Sequence, residues 1–180
     1  MSQLKKVINT ERLTLVPISQ AHADVLFTYW SDDEVTRYMN IVPMKKIDEA
    51  RQMIEMLDQY ADQGNAVRYA LVLGDGQVVG SVGLNAIDTL NDGAEIGYDV
   101  GKPYWRQGYG KEALNALINF AFDTLQVNRL EAKVIPDNMP SLALLEKLGF
   151  EKEGCLREKE KTETGYSDLY LYSLLRKDQL

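Results

Sequence analysis

The segment best equipped for chemistry is a glycine-bearing loop that leads directly into an amphipathic helix. The loop runs from Gly101 to Gly110, and the apolar residues after it fall at helical spacing. The first N–H groups of a helix have no partner inside the helix, and they lie at the positive end of its dipole. Gly108 and Gly110 let this backbone approach a diphosphate closely, because no Cβ stands in the way. The segment is therefore a candidate diphosphate-binding site.

Two common nucleotide-binding motifs do not account for this loop. A P-loop requires a glycine five residues before its Gly-Lys pair and Ser or Thr after it, and Trp105 and Glu112 hold those positions here. The run from Gly108 to Ala113 does satisfy the Rossmann pattern G-x-G-x-x-A. However, residues 102–107 separate it from the preceding strand, whereas a dinucleotide fingerprint turns directly from strand into helix. We therefore interpret this match as accidental.

The elements that must position the loop form one mixed domain, covering residues 1–180. Period-two patterns predict strands at 9–17, 68–73, 78–87, 93–100, 129–135, 151–160 and 166–175. Helical spacing predicts helices at 21–30, at 48–60, after residue 110 and at 141–148. The expected fold class is α/β (α+β), with a mixed, mostly antiparallel sheet of about seven strands and flanking helices.

Composition narrows the class of protein further. The 180 residues are 45% hydrophobic and 26% charged, which is typical of a soluble globular domain. The single cysteine, Cys155, excludes an internal disulfide, and no apolar run suits a signal peptide or a membrane span. The net charge of −7 disfavours direct binding to nucleic acid. The cysteine count and the lack of such an apolar run lead us to expect a cytoplasmic protein. A single histidine, His22, offers no basis for a metal site, so we expect no bound metal.

The run from Val100 to Gly110 resembles motif A of the GNAT acetyltransferase superfamily. Downstream, residues 138–141 and 146–150 resemble its motif B. The tryptophan before the glycine loop and Ser141 in motif B are similar to the RimJ/RimL branch, as are residues 10–15 and 153–157. These segments follow the order of the family along nearly the whole chain. The sequence thus resembles a GNAT N-acetyltransferase of the RimJ/RimL-like branch.

This resemblance implies that acetyl-CoA is the cosubstrate and binds in a V-shaped opening between the fourth and fifth strands. Backbone groups of Tyr98, Asp99 and Val100 would pair with the pantetheine arm like an added strand. The Asn138 side chain would also meet the pantetheine. The residues implied to hold the diphosphate are Arg106, Gln107, Gly108, Tyr109, Gly110 and Lys111.

The implied reaction transfers an acetyl group to a primary amine, which must first lose a proton before it can attack. Glu95, at the start of the central strand, is the candidate base, directly or through water; the alternative is a structural ion pair or an exposed strand end. Asp99 shares its parity and is the reserve candidate. Many family members carry a motif-B tyrosine as the acid, but Leu145 holds that position here. Ser141 is the nearest hydroxyl and the candidate acid, with a role in the first turn of the helix as its alternative.

The acceptor is expected to contact residues 30–38 and the final hairpin. Glu158 and Glu160 of that hairpin either line the acceptor pocket or face solvent. The RimJ/RimL branch acetylates N-terminal amines of proteins, including ribosomal ones, and also small amines. We predict a protein N-terminal α-amine as the acceptor. A polyamine or an amino sugar stays open as the second candidate acceptor. A non-catalytic acyl-CoA-binding module stays open as an alternative class of protein. The resemblance also implies a homodimer.

Overall fold

Eight strands form a single mixed sheet in the computed structural model, which describes residues 3–179. The strands are β1 (Ile8–Asn9), β2 (Leu13–Pro17), β3 (Val67–Leu73), β4 (Val78–Asp88), β5 (Gly93–Val100), β6 (Arg129–Val134), β7 (Glu151–Thr162) and β8 (Gly165–Leu175). They lie in the order β1-β2-β3-β4-β5-β6-β8-β7, and only the pair β5–β6 is parallel. The predicted mixed, mostly antiparallel sheet is confirmed. It gains a short strand because a turn at residues 10–12 divides the first predicted strand.

In the described residues, five α-helices cover the two faces of the sheet. They are α1 (Ala23–Trp30), α2 (Asp33–Thr36), α3 (Ile47–Asp62), α4 (Tyr109–Asn119) and α5 (Met139–Lys147). Helices α1 and α3 pack together on one face through Leu26 and Ile54, and α4 packs on the other through Leu114 and Leu117. A π-helical turn, Phe120–Thr124, extends α4. Within residues 3–179, no helix is long and apolar enough to cross a membrane.

The parallel pair is short, and this opens the middle of the sheet. Pairing between β5 and β6 runs only from Gly93–Arg129 to Glu95–Glu131. Beyond Glu95, β5 continues beside β4, whereas β6 continues beside β8. The two strands therefore diverge and leave a gap between them. The opening expected between the fourth and fifth predicted strands corresponds to this gap.

An ionic group around Arg129 ties the β7–β8 hairpin to β6. The Arg129 guanidinium donates to both carboxylate oxygens of Glu153 at 2.7 Å. The Ser173 hydroxyl donates to the same carboxylate at 2.6 Å. The bonds from Arg129 and then from Ser173 lower the pKa of Glu153 to about 2.

We expect Glu153→Gln to lower the free energy of unfolding by less than about 1 kcal/mol, because partly exposed ion pairs contribute little. The pKa of Glu153 is depressed from its ordinary value of 4.5 to about 2, so its contribution is complete above pH 4.5 and disappears as the pH falls toward 2. Urea unfolding of both proteins should thus show a difference at neutral pH that vanishes in acid. A difference that is independent of pH would contradict the ion pair.

Candidate active site

A cavity of about 610 Å³ occupies the gap between β5 and β6. On the side of β5, β6 and α5 its lining includes Ile96, Tyr98, Val134, Asn138, Ser141 and Leu145. On the side of α1, α3 and the segment between α2 and α3 it includes Trp30, Tyr38, Met39, Ile41, Met44, Met53 and Leu57. Since successive strand residues point to opposite faces, a lining that contains both Ile96 and Gly97 reaches both faces of the sheet. The cavity thus joins the α4 face to the α3 face.

Several of the residues predicted for the site meet in this cavity. Glu95, Tyr98, Asn138 and Ser141 all line it. The predicted diphosphate loop, residues 106–111, lies outside the cavity and leads into α4. The chain therefore places the candidate catalytic side chains and the candidate phosphate loop at separate but adjoining positions.

The edge of β5 that faces the gap presents the backbone of alternate residues. The Gly101 N–H donates to the Val79 carbonyl of β4 at 2.8 Å. Because backbone groups alternate along a strand, those of Tyr98 and Val100 point away from β4, toward the gap. The backbone of Asp99 points to β4 by the same alternation. Of the three predicted pantetheine contacts, Tyr98 and Val100 are thus at the open edge and Asp99 is not.

The predicted diphosphate loop ends in a helix N-terminus that no side chain caps. Gly108 is the N-cap of α4 and has a φ of +83°. Within the described residues, no backbone acceptor takes up the N–H groups of residues 109–111. A Cβ on Gly110 would lie 3.2 Å from the Tyr98 ring, so a glycine allows α4 to approach β5 closely. The free donors at this helix N-terminus fit a diphosphate.

Two side chains between β5 and α4 donate hydrogen bonds to backbone carbonyls of the same segment or of the end of β5. The Trp105 indole N–H donates to the Val100 carbonyl at 2.6 Å. The Gln107 side-chain amide donates to the Pro103 carbonyl at 2.9 Å. Because the Val100 carbonyl is already bonded, its N–H is the group left for a ligand. In the sequence, Trp105 excluded a P-loop and contributed to the resemblance to the RimJ/RimL branch, but its bond to Val100 was not predicted.

Glu95 forms an ion pair in the cavity wall. Its Oε2 lies 2.6 Å from Lys133 Nζ on β6, and the two side chains are 25% and 28% exposed. This contact matches the structural ion pair that the sequence left open as the alternative to catalysis. The assignment of Glu95 as the base stays a prediction. Lys133 was missed because nothing in the local pattern links it to a residue on another strand.

Glu160 of β7 brings a second carboxylate to the cavity. In the described part of the chain, no Lys, Arg or His lies within ion-pair distance of it. Burial raises the pKa of Glu160 above its ordinary value. Glu158 instead has a φ of +49°, bonds through its N–H to Asp168 at 2.7 Å and does not line the cavity. Of these two hairpin carboxylates, Glu160 is the one placed to meet an acceptor.

Asp99 is enclosed beneath the cavity in an ion pair with Arg68. Arg68 Nη2 lies 3.1 Å from Asp99 Oδ1, and the side chains are 13% and 1% exposed. The Ser81 hydroxyl donates to the same oxygen. Burial raises the pKa of Asp99, and Arg68 and Ser81 oppose the rise. The reserve base thus shares the strand face of Glu95, as its parity predicts, but its side chain is sealed from the cavity.

Ser141 lies in the first turn of α5, where Asn138 provides the cap. The Asn138 Oδ1 accepts from the Ser141 N–H at 3.3 Å. Burial raises the pKa of Tyr98, and the Ser141 hydroxyl beside it opposes the rise. The Ser141 hydroxyl is therefore not used for capping and adjoins a second hydroxyl, that of Tyr98. Sequence reasoning chose Tyr98 only for its backbone.

Comparison with known proteins agrees with this geometry. The family described as acetyltransferase (GNAT) domain matches residues 12–151. That range runs from the end of the first turn to the start of β7 and includes the gap and the loop. The chain belongs to the GNAT acetyltransferase family and is an acetyl-CoA-dependent N-acetyltransferase.

Individual relatives extend the match. The uncharacterized N-acetyltransferase p20 of Bacillus licheniformis is 45% identical over 174 residues, 96% of this chain and 98% of p20. The ribosomal-protein-serine acetyltransferase of Escherichia coli (strain K12) is 32% identical over 103 residues, 57% of this chain and 58% of that protein. RimL, a ribosomal L7/L12 alpha-N-protein acetyltransferase solved with coenzyme A, has a TM-score of 0.87 at 22% identity, covering 94% of this chain and 98% of RimL. RimL thus shares the fold.

Proposed function

We propose that this enzyme acetylates the N-terminal α-amine of a protein, of the ribosomal-protein type. The observation that carries the proposal is the cavity that joins the two faces of the sheet, with an open strand edge on one side and an unpaired carboxylate on the other. The names of the Escherichia coli ribosomal-protein-serine acetyltransferase and of RimL support this class of acceptor.

Acetyl-CoA would be held along a line from β5 to the start of α4. Backbone groups of Tyr98 and Val100 would pair with the amides of the pantetheine arm, and the Asn138 amide nitrogen would meet it from α5. The N–H groups of residues 106–111 would bind the diphosphate, supported by the positive end of the α4 dipole. Arg106 and Lys111 would add positive charge at the same place.

The protein's task in the reaction is to move protons. Acetyl-CoA supplies an acetyl group as a thioester, and the new C–N bond forms as the C–S bond breaks. The amine attacks only after its ammonium form has lost a proton, and we propose that the Glu160 carboxylate accepts it, because it lines the cavity without an ion-pair partner in the described chain and burial raises its pKa. Glu95, held by Lys133, would orient the amine or act through water. The Ser141 hydroxyl would give its proton to the departing thiolate and take up the second proton of the amine nitrogen as the amide forms.

The acceptor side of the cavity favours a peptide over a small polar amine. Charged side chains, including Lys133, Lys159, Glu160 and Lys161, line part of it, and another part of the wall is apolar, formed by Tyr38, Met39, Ile41, Met44, Met53 and Leu57. A polyamine or an amino sugar would lose water there without gaining apolar contacts. The first side chains of a peptide can pack against such a wall while the α-amine meets a carboxylate.

Turnover of peptides and small amines tests this choice. We expect a serine-initiated peptide to be acetylated with a kcat/KM at least about tenfold above that of spermidine or glucosamine. The matched control is the same peptide with a blocked N-terminus, which should not react. Activity on small amines alone would contradict the peptide proposal. Binding of acetyl-CoA without turnover of any amine would favour a non-catalytic module.

Replacing Ser141 by alanine tests the acid. We expect kcat to fall by about 10- to 100-fold, because the thiolate would leave without a proton from the protein, while the Kd for acetyl-CoA changes little. Ser141→Thr keeps a hydroxyl and should retain most of the activity. Stopped assays with the peptide substrate measure both variants, and an unchanged kcat in Ser141→Ala would remove Ser141 from the mechanism.

We also propose that the enzyme acts in the cytoplasm, in line with its ribosomal-protein acetyltransferase relative, and that two copies of the chain form a homodimer. Strand β7 forms one end of the sheet, and the neighbouring Tyr166 is 65% exposed. Light scattering should give twice the chain mass of 20.4 kDa. A single chain mass at micromolar concentration would contradict the dimer.

A further inference from the structure

The residues just before β2 reach across the fold to the diphosphate loop. Arg12 Nη1 donates to the Gln107 carbonyl at 2.9 Å, and Arg12 Nε donates to the Glu112 carboxylate at 2.7 Å. The Arg12 backbone N–H and the Thr10 hydroxyl also donate to Glu112, at 2.8 and 2.6 Å. The guanidinium stacks 4.6 Å from the centre of the Tyr109 ring. One arginine thus contacts the loop, the first turn of α4 and the ring between them.

The loop needs support of this kind because its backbone is strained. Gln107 lies between Arg106 and Gly108, whose φ angles are +61° and +83°. The left-handed region is unfavourable for a residue with a side chain, so Arg106 holds this conformation only if its surroundings impose it. The bond from Arg12 fixes the carbonyl between these two residues. Arg12 is therefore in a position to maintain the shape of the loop.

Charge gives a second reason for the contact. Burial by itself would raise the pKa of Glu112, but the hydrogen bonds from Thr10 and Arg12 outweigh it and the pKa is lowered. Glu112 is thus an anion in the first turn of α4, close to where a diphosphate would bind, and Arg12 neutralises it. The other terminal nitrogen, Nη2, lies 3.2 Å from the point that a Cβ would occupy on Gly108. It has no hydrogen bond within the described residues.

We propose that Arg12 is a positioning residue for the coenzyme. With Glu112 it holds residues 106–108 in the shape that receives the diphosphate, and Nη2 adds a positive charge beside that group. The inference rests on the proposed placement of the diphosphate at this loop. The segment Thr10-Glu11-Arg12-Leu13 was noted in the sequence only for its resemblance to the family branch. The inference assigns it the role of supporting the loop that binds the diphosphate.

Calorimetry with coenzyme A, and inhibition by pantetheine, which lacks the diphosphate, test the proposal. We expect Arg12→Ala to raise the Kd for coenzyme A by about 10- to 100-fold and to leave the inhibition constant of pantetheine within about threefold. Arg12→Lys keeps the charge but not the forked geometry, so its Kd for coenzyme A should lie between those of the wild type and Arg12→Ala. Arg51→Ala, which removes the same charge on α3, should bind like the wild type.

The outcomes separate this inference from the proposed function. An unchanged Kd for coenzyme A in Arg12→Ala, or an equal loss for pantetheine, would overturn the role of Arg12. If the wild type bound coenzyme A no better than pantetheine, the placement of the diphosphate itself would be wrong. Should Arg12→Ala fail to fold, the same two constants, the Kd for coenzyme A and the inhibition constant of pantetheine, are compared for Arg12→Lys and Arg12→Gln.

Discussion

Replacing Glu160 by glutamine is expected to lower kcat/KM for a peptide acceptor by about 10²- to 10³-fold, with the Kd for acetyl-CoA unchanged. Glutamine keeps the size and polarity of the side chain but cannot accept the proton of the ammonium group. Glu160 is the cavity carboxylate without an ion-pair partner in the described chain, and burial raises its pKa. Steady-state kinetics with saturating acetyl-CoA measure the loss.

The pH profile distinguishes a base from a binding group. Glu160 accepts a proton only when it is ionised, so the activity of the wild type should rise as the pH passes upward through its raised pKa. That limb of the profile should be absent in Glu160→Gln. A variant that loses activity but keeps the limb would show that Glu160 binds the amine without deprotonating it.

Glu95→Gln is the matched control on the other side of the cavity. Because Lys133 already occupies one oxygen of Glu95, we expect a loss of only about tenfold, mainly through the orientation of the amine. A larger loss for Glu95→Gln than for Glu160→Gln would exchange the two roles. The base predicted from the sequence would then be correct.

Removing the buried carboxylate beneath the cavity should have the largest effect on stability. We expect Asp99→Ala to lower the free energy of unfolding by about 3–5 kcal/mol, because it leaves the Arg68 guanidinium, whose side chain is only 13% exposed, without a counterion. Urea unfolding monitored by circular dichroism gives the value. A loss under about 1 kcal/mol would mean that Arg68 moves into the cavity and is solvated there.

Two further variants identify the cause of this loss. Asp99→Asn retains an acceptor for Ser81 and Arg68 and should lose less than Asp99→Ala. The double variant Arg68→Met with Asp99→Leu removes both charges, so we expect it to be more stable than Asp99→Ala alone. If the double variant were the less stable one, packing and not the unpaired charge would explain the result.

The sheet and the main helices could be predicted because the spacing at which apolar residues recur along the chain shows which face of a strand or helix is buried. The prediction for residues 93–100 coincides with β5, and Pro17 ends β2 as expected. The division of the first strand was not predictable from period, because it depends on the Thr10 hydroxyl, which bonds to the Leu13 backbone. The π-helical turn after α4 was also not predictable, because it leaves the helical spacing of apolar residues unchanged.

At the site, local chemistry could be predicted and long-range pairing could not. The uncapped start of α4 follows from glycines in the loop, which is why the phosphate-binding candidates were found. The partner of Glu95 is 38 positions along the chain, and the partner of Glu112 is 100. Such side-chain pairs carry no periodic signal. Among the residues found only in the structure, Arg12 alone had a hint in the sequence, through the family-like opening segment.

The gap through the sheet also bears on how such an enzyme can change its preferences. Residues that would hold the coenzyme lie on β5, α4 and α5, whereas those around the acceptor lie on α1, α3, the segment between α2 and α3, and the last hairpin. The two groups meet where the strands part. Substitutions in one group therefore leave the other group's packing largely intact. The acceptor range of this scaffold can diverge while its affinity for the acyl donor stays constant.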